Sequence, residues 1–134
     1  MKLWLGCILC LACASAPTRD PSACPSPAER VEVEQIQVGW NRFDTGNNPP
    51  VVDVDRPSRD ERQAATLANE LMAKCAQGAK LEALQDKYSE AQGGSVVLGR
   101  NSDVPYKAAA LCLQPNECVV VRSKIAFHVL KRIR

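Results

Sequence analysis

Apolar and polar residues alternate through "VEVEQIQV" (residues 31–38), the pattern of a half-buried β-strand. The alternation changes phase midway: Val31 and Val33 are apolar, then Ile36 and Val38. A one-residue shift moves a side chain to the other face of a sheet. This strand therefore either carries a bulge or meets apolar material on both faces. The next stretch, "GWNRFDTGNNPPVVDVDRPS" (39–58), is broken by Gly46, Asn47, Asn48, Pro49, Pro50 and Pro57. It predicts a long irregular loop, which in a small domain is usually functional or mobile.

The period then becomes helical. With Ser58 as its candidate cap, the segment up to Gly78 places Ala64, Leu67, Ala68, Leu71 and Cys75 on one face. A second, shorter helix follows, with Leu81, Leu84 and Tyr88 aligned. "GGSVVLG" (93–99) reads as a short strand bounded by glycines. "PYKAAALCL" (105–113) opens on proline and aligns Tyr106, Ala109, Ala110 and Leu113, so it predicts a third helix. "CVVVRS" and "AFHVLKRI" predict two strands joined by a tight turn, and their apolar runs imply cover on both faces. Strand, helix, helix, strand, helix, strand, strand is the order of one small α+β domain.

The start of the chain does not fit this scheme. Lys2 precedes a short apolar run, Leu3 to Ala12, followed by small residues. That is a secretory signal in form, and too short for a spanning helix, which needs about 20 apolar residues. Ala12-Cys13 resembles the end of a bacterial lipobox, although Cys10 stands where leucine is usual. Lipidation of Cys13 is the preferred reading, because it accounts for a cysteine at the end of so short a signal. Cleavage after Ala14 is the rival. Residues 14–30 are rich in Pro, Ser and Ala and predict a flexible tether. The expected organisation is a signal over residues 1–12, a tether over 13–30 and a folded domain over 31–134. The protein would then be exported and held at a membrane by its lipid, facing the periplasm or the cell exterior.

Charge narrows the partners. The chain carries 17 Lys and Arg against 15 Asp and Glu, and removing the signal takes Lys2 with it. So balanced a surface, with two Trp, two Tyr and two Phe, offers neither the cation cluster nor the stacking platform of a nucleic-acid binder. Export would allow cysteines to pair. Cys112 and Cys118 flank "LQPNE", which contains a Pro-Asn turn, and predict a local disulfide. With the signal removed, one histidine, His128, and no C-x-x-C pair among Cys24, Cys75, Cys112 and Cys118 argue against zinc, and nothing implies another metal or a cofactor.

Five segments in order resemble the parvulin family, the PpiC-type peptidyl-prolyl isomerases: Tyr88-Ser89, "GGSVVLG", "PYKAAALCL", Asn116-Glu117 and "AFHVL". The resemblance spans about residues 31–134. It implies a small antiparallel sheet of about four strands flanked by helices. It also implies that His128 is the final-strand histidine of the active site, with Leu98 and Tyr106 lining the proline pocket. Several family positions differ. Gln35 stands for the first-strand histidine and would orient His128 as the second member of the catalytic pair. Ala91 replaces the Cys or Asp after the aromatic-Ser pair. Ala126 replaces a glycine, and Ser102 falls where a pocket methionine is common. The expected activity is weak isomerisation of proline-containing unfolded or extended chains. The alternative is a catalytically silent peptide- or partner-binding module, and a purely structural strand histidine stays open for His128.

Overall fold

The computed structural model describes residues 23–43, 51–91 and 93–134. Its elements are β1 (Arg30–Gly39), β2 (Arg42–Phe43), β3 (Val51–Val52), α1 (Glu61–Ala76), α2 (Leu81–Tyr88), β4 (Ser95–Gly99), α3 (Lys107–Cys112), β5 (Cys118–Arg122) and β6 (Ala126–Arg132). Four strands form one antiparallel sheet in the order β4-β1-β6-β5. This is the expected α+β architecture. The long loop holds one addition, the two-residue pairing of β2 with β3.

The phase change in β1 is now explained. The strand runs in unbroken register against β6 from Val33 to Gly39 and against β4 from Arg30 to Glu34, so it carries no bulge. Val31 and Val33 pack under α3 with Leu98, Tyr106, Ala110, Leu111, Leu113 and Leu130. Ile36 and Val38 pack on the other face, with Trp40, Val129 and the apolar sides of α1 and α2. The helices thus cover opposite halves of opposite faces. Beyond Val33, the α3-side face of β1 continues into Gln35 and Gln37, which are half-buried.

Asp60, not Ser58, caps α1. Its carboxylate accepts from the Gln63 amide N–H at 2.7 Å, and the Gln63 side chain accepts from the Asp60 N–H at 2.9 Å. This reciprocal box satisfies two amides that the first turn leaves unpaired. Gly78 ends the helix at φ +95°, a left-handed conformation that favours glycine.

The expected Cys112–Cys118 disulfide is not formed. Cys24 bonds Cys112, and Cys75 bonds Cys118. The reason is the sheet itself. Cys112 closes α3 on one side, whereas Cys118 joins the α1-side core with Val120. Short sequence distance does not help two side chains on opposite faces of a sheet. The Cys24–Cys112 bond also revises the tether. Residues 24–28 dock along α3, where the Ala28 amide donates to the Leu111 carbonyl at 2.8 Å. The predicted signal, Cys13 and residues 14–22 lie outside the described residues.

Candidate functional site

The α3 face of the sheet carries Gln37, His128 and Val121 in one cross-strand row. Gln35 lies in the next row, opposite Leu130. Tyr106, at the start of α3, turns its ring over the imidazole, with centroids 4.8 Å apart and the planes tilted by 44°. Both rings are buried, Tyr106 at 4% exposure and His128 at 5%. His128 Nε2 lies 3.1 Å from Ser123 Oγ in the β5–β6 turn. That hydroxyl also accepts from the Ala126 amide at 3.1 Å.

Burial sets the charge states. Desolvation lowers the His128 pKa to about 4, so the ring is neutral at physiological pH. Desolvation raises the Tyr106 pKa, and a hydrogen bond with the Gln35 side chain moves it partly back. His128 Nδ1 and Gln35 Oε1 are buried with no hydrogen-bond partner among the described residues. Two unpaired polar atoms buried beside one tyrosine are costly to the fold.

The neutral imidazole has a consequence for stability. Its folded pKa lies below the usual 6.5, so the unfolded chain takes up the proton first as pH falls. The stabilisation from this group is complete above about pH 6.5 and is lost between there and about pH 4, to the extent of roughly 2–3 kcal/mol. Urea unfolding at pH 7 and pH 4.5 is expected to show this loss in the wild type and a smaller one in His128→Gln. Equal losses would mean that His128 is solvated.

The exposed edge of β1 beside this row is closed by groups from the chain around α2. Gln85, 3% exposed, donates from Nε2 to the Gln35 carbonyl at 2.8 Å and to the Gly94 carbonyl at 2.9 Å. Its Oε1 accepts from the Gly94 amide at 3.2 Å. Further along, Ser89 Oγ accepts from the Gln37 amide, and the Glu90 amide donates to the Gln37 carbonyl. Glu90 Oε2 accepts from Gly39 at 2.8 Å, while its Oε1 pairs with Arg59 at 2.5 Å. These contacts take over where the ladder with β4 ends, and they hold the backbone that presents Gln35 and Gln37. They also place Ala91 at the rim, since its amide donates to Ser89 Oγ at 3.3 Å.

A family model for the PPIC-type PPIASE domain matches residues 26–133. The chain belongs to this family. Among curated proteins, none matches it. The matched span begins within the docked segment at residues 24–28, so the PPIC-type domain reaches further toward the N-terminus than the sequence pattern implied. As a member of this family, the protein has a peptidyl-prolyl isomerase-like function.

Within the PPIC-type domain, Tyr106 meets both His128 and the Gln35 side chain, whereas Ala91 is linked to this row only through Ser89 Oγ, which also accepts from the Gln37 amide. Leu98 shares the buried cluster of Tyr106 under α3 but not the row of His128. It pairs with Val31, four residues along β1 from Gln35, or about 14 Å. Ser102 is further still, closing the turn after β4 by accepting from the Gly99 amide at 3.0 Å. Ser123, Gln37 and Gln85 were not singled out from the sequence. Gln37 shares the phase of Gln35, which was a usable signal. Ser123 and Gln85 gave none, because their partners are remote backbone groups or lie across a turn.

Proposed function

We propose that this chain is an exported, membrane-tethered prolyl cis–trans isomerase of low turnover, acting on proline-containing unfolded or extended polypeptides. The observation that carries the reading is Tyr106 stacked on neutral His128 with the Gln35 side chain beside them. Isomerisation requires neither a nucleophile nor net proton transfer. Its barrier of roughly 18–20 kcal/mol is amide resonance, and a site lowers it by binding the twisted amide better than the planar one. Twisting reduces charge separation, so apolar surface such as the Tyr106 ring favours it. The polar Gln35 Oε1 and the His128 imidazole lie buried beneath that ring.

Low turnover follows from Ala91. Where the family commonly has Cys or Asp, a methyl group makes no polar contact. The loss of one charge-assisted hydrogen bond, about 1.5–3 kcal/mol, is tenfold or more in rate. The same departure favours a second reading, a peptide-binding module without catalysis. An NMR exchange assay on an Ala-Pro peptide separates them. Weak acceleration by the wild type, increased in Gln35→His with Ala91→Asp, is expected of the isomerase. No acceleration by either folded protein would leave the binding module.

Export is supported by two disulfides, which persist in oxidising compartments. The Cys24–Cys112 bond fixes the root of the preceding segment beside the end of α3. There Arg132 donates to the Leu113 carbonyl at 2.7 Å, four residues along β6 from His128. A lipid on Cys13 would therefore hold the domain by the end remote from the site. Mass spectrometry of the mature N-terminus is expected to find diacylated Cys13. An unmodified chain starting at Ser15 would remove the tether.

A further inference from the structure

In chain order the four structural cysteines are Cys24, Cys75, Cys112 and Cys118, and the bonds join first to third and second to fourth. The native pairs are 88 and 43 residues apart. Cys112 and Cys118 are near neighbours across a turn, in which the Glu117 amide donates to the Gln114 carbonyl at 3.0 Å. Closure probability falls with the three-halves power of loop length. In an unfolded chain the neighbouring pair is favoured about 20-fold over Cys75–Cys118 and about 60-fold over Cys24–Cys112.

That neighbouring bond takes one cysteine from each native pair. The two left over, Cys24 and Cys75, can bond only each other. The product has both disulfides wrong and no thiol among the four with which to rearrange. It is also incompatible with the fold, because the sheet separates the side chains of Cys112 and Cys118. In the native state Cys75 and Cys112 are 3% and 4% exposed, so exchange belongs to the unfolded stage.

We propose that maturation of this protein depends on a thiol–disulfide isomerase, a partner that supplies a nucleophilic thiolate to the misbonded chain. Forming the two bonds delivers four electrons and four protons to two equivalents of a disulfide oxidant, which become dithiols. Rearrangement is then redox-neutral. The partner's thiolate attacks Cys112 Sγ, forms a mixed disulfide and releases Cys118 as thiolate. Cys118 attacks Cys75 Sγ of the Cys24–Cys75 bond, forming Cys75–Cys118 and releasing Cys24. Cys24 attacks Cys112 Sγ, forming Cys24–Cys112 and returning the partner's thiolate.

The test uses the full-length chain with Cys7→Ser, Cys10→Ser and Cys13→Ser, so that only the four structural thiols react. The reduced, urea-unfolded protein is diluted into oxidised glutathione alone, or into a reduced and oxidised glutathione buffer with catalytic protein disulfide isomerase. Non-reducing digestion and mass spectrometry assign the bonds over time. With oxidant alone, Cys112–Cys118 is expected to form first and persist. With isomerase, native pairs replace it and their yield rises at least about tenfold, within the range set by loop lengths. A second protein, also carrying Cys24→Ala and Cys112→Ala, has only one bond to make and is expected to form Cys75–Cys118 equally well in both conditions. Equal native yields from the four-cysteine chain in both conditions would overturn the proposal, since the reduced chain would then fold before it oxidises. So would early bonds other than Cys112–Cys118.

Discussion

Replacing Cys112 and Cys118 together by alanine is expected to abolish the folded state at 25 °C or bring it to the edge of unfolding. The two cysteines belong to different disulfides, so this double variant removes both. In the chain-entropy model a loop of 43 residues is worth about 4 kcal/mol and one of 88 about 4.5 kcal/mol. Losing both is comparable to the whole stability of a typical domain, about 5–15 kcal/mol. Removing a native pair, Cys75 with Cys118 or Cys24 with Cys112, costs only one bond and is expected to leave a folded protein. Urea unfolding of the three double variants gives the ranking. Cys112–Cys118 with Cys24–Cys75 would invert it, because the Cys112/Cys118 variant would then lose only the shortest loop, while each of the other two would break both bonds.

Tyr106→Ala is expected to have the next largest effect and to act on both stability and the site. Truncating a buried aromatic side chain costs about 3–5 kcal/mol. The same change uncovers the imidazole, so the His128 pKa is expected to rise from about 4 toward its usual 6.5. Tyr106→Phe keeps the ring and loses only the hydroxyl next to Gln35, at about 1 kcal/mol, and should leave the His128 titration low. Peptide binding is expected to vanish in the alanine variant and survive in the phenylalanine one. NMR titration of the single histidine reads the result directly. A His128 pKa unmoved by Tyr106→Ala would show that something other than the tyrosine keeps water away, and the stacked pair would lose its place at the centre of the site.

The elements that carry the candidate site residues were legible because strands and helices write their faces into the sequence. Alternation in β1 and the apolar run of β6 placed Gln35 and His128 on strands, and the helical period before Cys112 placed Tyr106 at the start of α3. The illegible parts depend on position along those elements. Leu98 carries a family-like Leu-Gly pair, yet register sets it opposite Val31, away from His128. Gln85 looked like an ordinary polar residue near the end of a helix. It is buried because the ladder of β4 stops at Ser95 and the Gln35 carbonyl needs another donor.

The cysteines mark the boundary most sharply. Element types and their order follow from local periodicity and turn chemistry, which a chain carries wherever it folds; Tyr106 and His128 were marked only by the resemblance to the parvulin family. Partner choice for Cys24, Cys75, Cys112 and Cys118 does not follow from either, since proximity in sequence favours Cys112 with Cys118. The tertiary structure decided otherwise by passing the sheet between α3 and the α1-side core, so that each cysteine meets only what lies on its own face.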